Sequence, residues 1–271
     1  ESGVVFQFGT QQRSIGKMRF ACELVRNGKI GQLKTVLIGV PSLPGIPLCP
    51  KQPTQPVPKE LDYDLWLGPA PMAPYCYERC RPYADGKYST WYTISDYCMG
   101  MIGNWGIHHL DIAQWGMGTD LSGPTEVEGT GVFPEGYLSD CAVSWQVENR
   151  YPNGVTLVHM DDETSFKHPL QVARFGQMVT FIGSEGWVQV GRERIDANPK
   201  SLLKVKFAPN DIHLLKSNNH QANFIDVIKG KAELAAPIDI AVRSDAMCHL
   251  QQIAIKLRRK LHWDPVAERF T

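Results

Sequence analysis

The chain lacks the features that define several large protein classes. No apolar run approaches the roughly 20 residues needed to span a bilayer, and no lipidation motif occurs. Lys plus Arg and Asp plus Glu number 28 each, giving a formal net charge of zero. That balance argues against electrostatic capture of nucleic acid or an acidic membrane. The 7 cysteines are odd in number and scattered, so no disulfide framework is implied. Cys76 and Cys80 stand close together, but no second close pair completes a zinc site, and no metal is expected. No Gly-x-Gly-x-x-Gly dinucleotide fingerprint follows a strand. The nearest approach, Gly129-Thr130-Gly131, has Pro134 in place of the third glycine and opens no helix. No internal repeat or low-complexity tract is present. No Met opens the sequence either: Glu1-Ser2-Gly3 runs at once into Val4-Val5-Phe6-Gln7-Phe8, which reads as the interior of a longer chain. The compartment is open, with a soluble cytoplasmic or periplasmic bacterial protein expected, because an upstream signal peptide is not visible here.

What is present organises into recognisable elements. Val4 to Phe8 is a short β-rich run closed by Gly9. Ser14 has the character of an N-cap, with Ile15, Met18, Cys22 and Val25 at helical spacing and Asn27-Gly28 as the stop. Leu33 to Val40 is apolar and β-branched and reads as a strand. Ser42 to Pro58 is proline-rich and must be a loop or extended arm. An aromatic stretch follows, with Tyr75, Tyr77, Tyr83, Tyr88, Trp91 and Tyr92. A helix is predicted over about residues 98–117, with Met101, Trp105, His108, Ile112 and Trp115 along one face. Beyond about residue 125 the period changes to two. Cys141, Val143, Trp145 and Val147 alternate with polar residues, and Asn153-Gly154 turns into Val155–Met160. Met178–Ile182 and Trp187–Val190 form a further hairpin, and Leu202–Phe207 reads as another strand. Helices are predicted from about Asn219 to Lys229 and from near Asp239, the last with a stripe extending to Leu257 and Leu261. A block of strands flanked by helices indicates an α+β fold: a large, mostly antiparallel open sheet with helices packed on one face.

The densest chemistry lies in Gly103-Asn104-Trp105-Gly106-Ile107-His108-His109-Leu110-Asp111-Ile112. On a helix, Asn104, His108 and Asp111 fall within about 60° of one another, while His109 points elsewhere. One face then offers an amide, an imidazole and a carboxylate. The imidazole suits proton transfer near neutral pH, and a carboxylate one turn away can fix its tautomer or hold a substrate hydroxyl. On the residues alone, a histidine on an apolar helix face is more often a satisfied core histidine. A shared metal ion is disfavoured, because adjacent His108 and His109 cannot easily chelate one ion from a helix.

Four stretches carry a family resemblance: FGTQQRS (Phe8 to Ser14), ELVRNGKIGQLKTV (Glu23 to Val36), LDYDLWLGPAP (Leu61 to Pro71) and GNWGIHHLDIAQWG (Gly103 to Gly116). Together, in this order, they resemble the oxidoreductases named after glucose–fructose oxidoreductase, inositol dehydrogenase and MocA. The resemblance implies an N-terminal Rossmann domain of which residues 1–12 hold only the last strand. Residues 13–271 would be the C-terminal substrate and oligomerisation domain. It implies NAD or NADP as cofactor in the full-length parent, and a sugar, glycoside or cyclitol as substrate. The likeness gives His108 the role of acid/base and aligns Asn104 with a position usually held by Asp. Asp111 matches the later carboxylate of the motif. More weakly, it places Tyr97, Trp105 and Trp66 at the substrate and Gln12 and Arg13 near the cofactor. It further implies a homo-oligomer formed through the open sheet face. A relative of the same class can use hydride transfer transiently to cleave a glycoside. The chain by itself, lacking the phosphate cradle and the family's Glu-Lys-Pro lysine, is expected to be inactive and could serve as a binding or oligomerisation module.

Overall fold

The structure is a computed structural model and describes residues 3–42, 47–81, 87–171 and 177–271. Tyr83 of the aromatic stretch lies outside these residues. Nine strands among the described residues form one sheet. In chain order they are β1 (Leu33–Val40), β2 (Glu126–Val132), β3 (Ser144–Arg150), β4 (Thr156–Asp161), β5 (Met178–Gly183), β6 (Trp187–Val190), β7 (Ile195–Asn198), β8 (Leu261–Asp264) and β9 (Arg269–Phe270). Across the sheet the order is β7-β6-β5-β1-β4-β3-β2-β8-β9. Only β1 and β4 pair in parallel, with Val36 opposite Leu157 and Ile38 opposite His159; the other described pairings are antiparallel. The fold is thus the α+β open sheet that the strand block implies.

Period-two alternation sorts each strand between two environments. Val36, Ile38, Trp145, Val147, Leu157, Val179, Phe181, Val188 and Val190 project into the main core. The described helices are α1 (Gly16–Arg26), α2 (Tyr63–Leu67), α3 (Tyr77–Cys80), α4 (Met101–Asn104), α5 (Gly106–Met117), α6 (Asp162–Lys167), α7 (His220–Ile228) and α8 (Ile238–Leu257), of which α1, α5 and α8 cover that face. On the opposite face Leu37, Val158 and Met160 make a small separate cluster. There the short helix α6 (Asp162–Lys167) packs close enough that a Cβ at Gly39 would lie 2.7 Å from Ser165 Oγ.

Several local expectations need correction. Ser14 does not cap α1: Ile15 holds the cap position, and Ser14 Oγ instead meets Ser217 Oγ at 2.7 Å. Among the described residues Val4–Phe8 pairs with no strand of this sheet; in the expected assignment its partners belong to a preceding domain. The Phe8 amide donates to the Ala236 carbonyl at 2.9 Å, and its own carbonyl meets the His220 ring at 2.7 Å. The helix expected from residue 98 begins at α4 (Met101–Asn104), after a turn at Gly100 with φ +59°. Trp105, still helical at φ −85° and ψ −33°, joins it to α5. Leu202–Phe207 is no strand. Lys200–Lys204 winds into a 3-10 turn, and Phe207 packs edge-on against Phe20 of α1 at 5.6 Å. Phe207 thus finds its partner on a helix, not in a ladder. Leu261, read as the end of a helical stripe, belongs to β8, because α8 stops where Arg258 turns to φ 51°.

The site-bearing helix lies very close to the sheet. A Cβ at Gly106 would stand 2.7 Å from Cε1 of His159 on β4. His159 cannot yield, because its Nδ1 meets Gln251 Oε1 of α8 at 2.7 Å. Gln251 Nε2 in turn donates to Asn149 Oδ1, so the Gln251 oxygen is the acceptor and the ring is held as a neutral Nδ1–H tautomer. Gly106→Ala is therefore expected to destabilise the protein by about 1–3 kcal/mol through overpacking. Gly16→Ala, with open space around its Cβ, is the control. Urea unfolding midpoints read the difference, and equal midpoints for the two variants would contradict the close approach.

Candidate active site

The site is built from a 3-10 turn, Gln11–Ser14, packed against α5. That turn buries Gln12, Arg13 and Ser14. Arg13 grips Asp111 through Nε to Oδ2 at 2.7 Å and Nη2 to Oδ1 at 2.9 Å. Its Nη2 also reaches Asp120 Oδ1 at 2.6 Å, and the guanidinium lies over the Trp115 ring at 5.1 Å. Ser244 Oγ of α8 donates to Asp111 Oδ1 at 3.0 Å. Burial alone would lower the Arg13 pKa, but Asp111 and Asp120 together hold it above its ordinary value.

This arrangement corrects two expectations. Asp111 is 0% exposed with both oxygens engaged, so it neither holds a substrate hydroxyl nor orients His108. Arg13, 3% exposed, is consumed by two carboxylates and offers nothing to a cofactor. The physical reason is common to both: a buried charge persists only when paired and hydrogen-bonded.

On the neighbouring face of α5 the environment opens. His108 is half-buried, beside Trp105 at 6.0 Å in an edge-on arrangement. Its Nδ1 is buried without a hydrogen-bond partner. Arg192, in the turn between β6 and β7, lies over the Trp105 ring at 4.2 Å. Gln12 is wholly buried between them. In the amide orientation that satisfies both neighbours, its Nε2 donates to the His108 carbonyl at 3.1 Å and its Oε1 accepts from Arg192 Nε at 3.2 Å. Gln12 is thus a positioning residue with no surface for a cofactor. Burial, then the charge of Arg192, then His109, push the His108 pKa down to about 4. The ring is therefore neutral at neutral pH and able to accept a proton.

The remaining expected residues divide. Asn104 is exposed and its side chain makes no hydrogen bond among the described residues, leaving the amide available to a ligand. His109 points away from this face, as the helical angles predict: it is buried, with Nδ1 3.3 Å from the Trp105 carbonyl. Trp66 and Tyr97 meet each other edge-on at 5.0 Å and line a different cavity of about 500 Å³ with Trp91 and Asp96. Arg79 Nη1 donates to the Tyr97 hydroxyl at 2.9 Å. None of Asn104, Trp105 and His108 lines that cavity. Arg192 is the residue that sequence reasoning missed. In Gly191-Arg192-Glu193-Arg194 it reads as a solvated turn residue, and only the hairpin's position over α5 reveals its place.

The described residues do not fit the pyrophosphate of a dinucleotide. The Gly-x-Gly nearest to a dinucleotide fingerprint lies inside β2, where a Cβ at Gly129 would meet the Gln146 carbonyl at 2.3 Å and one at Gly131 would meet Ile255 at 2.8 Å. These glycines admit a neighbouring strand and a helix; they do not cradle a phosphate.

The open, mostly antiparallel sheet with helices over its core face is an α/β domain fold. The sequence matches the oxidoreductase family C-terminal alpha/beta domain over residues 50–271. The chain belongs to this family, that of glucose–fructose oxidoreductase, inositol dehydrogenase and MocA. No curated protein matches the sequence. Among solved structures it is similar to an aldose–aldose oxidoreductase from Caulobacter crescentus complexed with glycerol, with TM-score 0.58, 15% identity, and coverage of 96% of this chain and 64% of that one. It is also similar to the WlbA dehydrogenase from Bordetella pertussis in complex with NADH and UDP-GlcNAcA, with TM-score 0.58, 13% identity, and coverage of 97% and 64%. An oxidoreductase from Thermotoga maritima gives TM-score 0.55, 13% identity, and coverage of 97% and 63%. The chain thus spans less than two thirds of the length of these structures. No described helix is long and apolar enough to cross a membrane.

Two outcomes are expected from these geometries. Asp111→Ala leaves Arg13 buried with one partner lost and lowers unfolding stability by about 3–5 kcal/mol. Asn104→Ala changes it by no more than about 0.5 kcal/mol. Equal losses in chemical denaturation would contradict the division between them. The second concerns pH. Burial holds both His108 and His159 at about 4 in the folded state, against an ordinary value of 6.5. The unfolded chain binds more protons in that window, so stability is full above pH 6.5 and falls as pH drops toward 4. Unfolding midpoints between these limits should slope less steeply in His159→Gln; an unchanged slope would count against the buried neutral ring.

Proposed function

We propose that this chain is the substrate-binding part of a nicotinamide-dependent dehydrogenase acting on a secondary hydroxyl of a sugar, glycoside or cyclitol. The observation that carries the reading is His108: a half-buried, neutral imidazole beside Trp105 on a face that also exposes the Asn104 amide. A substrate hydroxyl placed there gives its proton to the imidazole, Asn104 holds a neighbouring hydroxyl, and Trp105 packs against the apolar side of the ring. NAD or NADP, when bound, supplies the hydride acceptor. Its pyrophosphate would be held by a second, Rossmann-type domain, which the length of the similar structures supports. The exposed apolar residues Val4 and Phe6, at the edge where residues 1–12 would complete that domain, agree with this division. The similar aldose–aldose oxidoreductase, complexed with glycerol, and the WlbA dehydrogenase, complexed with NADH and UDP-GlcNAcA, support the substrate class.

In the full-length protein, His108→Ala should lower kcat for sugar oxidation about 10²–10⁴-fold with cofactor binding retained. The assay follows reduced nicotinamide over a panel of sugars and polyols. Unchanged turnover in the variant would remove His108 from the reaction, and no turnover on the panel with cofactor bound would sink the dehydrogenase reading.

A further inference from the structure

Arg192 has no role in the reaction as drawn, yet its placement is built and not incidental. Its guanidinium lies 4.2 Å over Trp105, and its Nε is held at 3.2 Å by the buried Gln12 amide. Gln12 in turn is fixed on the His108 backbone at 3.1 Å. The ring and the amide lock the plane of the guanidinium, and its two terminal amino groups have no hydrogen-bond partner among the described residues. Among the described residues, no carboxylate comes within ion-pair distance of it. Glu193, next in the chain, lines a different cavity with Lys17 and Met178. Partial burial pulls the Arg192 pKa below its ordinary value, as happens when a cation lacks a counter-charge.

We infer that Arg192 is a specificity residue that receives a carboxylate on the substrate, so that the sugar bound beside His108 is an acidic one, a uronate. This rests on the dehydrogenase reading above and deepens it. The chemistry selects carboxylate over phosphate. Two parallel amino N–H groups of one planar guanidinium match the two oxygens of a carboxylate. A phosphate dianion calls for a second cation, and the other buried arginine of this region, Arg13, is already neutralised by Asp111 and Asp120. A bound carboxylate also restores the counter-charge that the site lacks.

The test compares glucuronate, its neutral methyl ester, glucose and glucose 6-phosphate as ligands of this chain. NMR shifts of the Trp105 indole N–H and the Arg192 Nε–H report binding at millimolar sensitivity. Glucuronate is expected to bind at least about tenfold more tightly than its methyl ester, the worth of one charge-assisted pair. Arg192→Gln should erase that preference, and Arg192→Lys should restore part of it. A merely structural Arg192 would shift the Trp105 signal on substitution but leave the acid-to-ester ratio unchanged. Equal binding of acid and ester, a preference that survives in Arg192→Gln, a stronger response to glucose 6-phosphate, or no response to any ligand overturns the inference. If neutral sugars bind and the full-length protein oxidises them, only the uronate assignment fails. If glucuronate binds through Arg192 but no sugar is oxidised, only the dehydrogenase reading fails.

Discussion

The ion pair between Arg13 and Asp111 constrains everything around the candidate site. It is fully desolvated, doubly hydrogen-bonded, and shared with Asp120 and Ser244. Such a pair adds little stability over an apolar packing of the same volume, but losing one partner leaves an uncompensated charge. Its consequence here is geometric. It joins the 3-10 turn at Gln11–Ser14 to α5 and α8, so the rotation of α5 about its axis is fixed. With Asp111 turned inward, His108 one turn earlier is left at the margin of the core. Gln12, adjacent to Arg13 in the same buried turn, then reaches the His108 carbonyl and Arg192. One turn of backbone thus secures the helix and arranges the groups beside the imidazole.

Three histidines show how burial divides structural from chemical work. His159 is locked as a neutral donor to Gln251 and stands where Gly106 lets α5 approach the sheet. His109 is buried against the Trp105 carbonyl. Of these three, His108 alone combines a depressed pKa with partial exposure. A neutral base in a half-open setting, a free amide at Asn104 and an arginine stacked on Trp105 make an asymmetric face, with proton acceptance at one end and cationic recognition at the other.

The sheet was largely legible because it depends on short-range signals. Alternation at Trp145 and Val147, the Asn153-Gly154 turn and the Gly183–Gly186 turn each mark strand and connection locally. Leu202–Phe207 misled for the same reason: alternation cannot distinguish a ladder from a segment lying on α1. The helix bearing the site was legible in position, and its angles correctly separated His109 from His108. Helical angles could not show which polar residue had a partner elsewhere. Asp111 and His108 have similar sequence settings, and only Arg13, far away in the chain, claims one of them. Arg192 was invisible for the converse reason, since its meaning comes from a hairpin folding over a helix.

The central claim is that the fold keeps His108 as an uncharged base next to a cation. An NMR titration of the His108 Cε1–H resonance measures this directly. The account predicts a midpoint near 4, with a neutral ring throughout the physiological range. A midpoint at or above 6.5, the ordinary value, would contradict it.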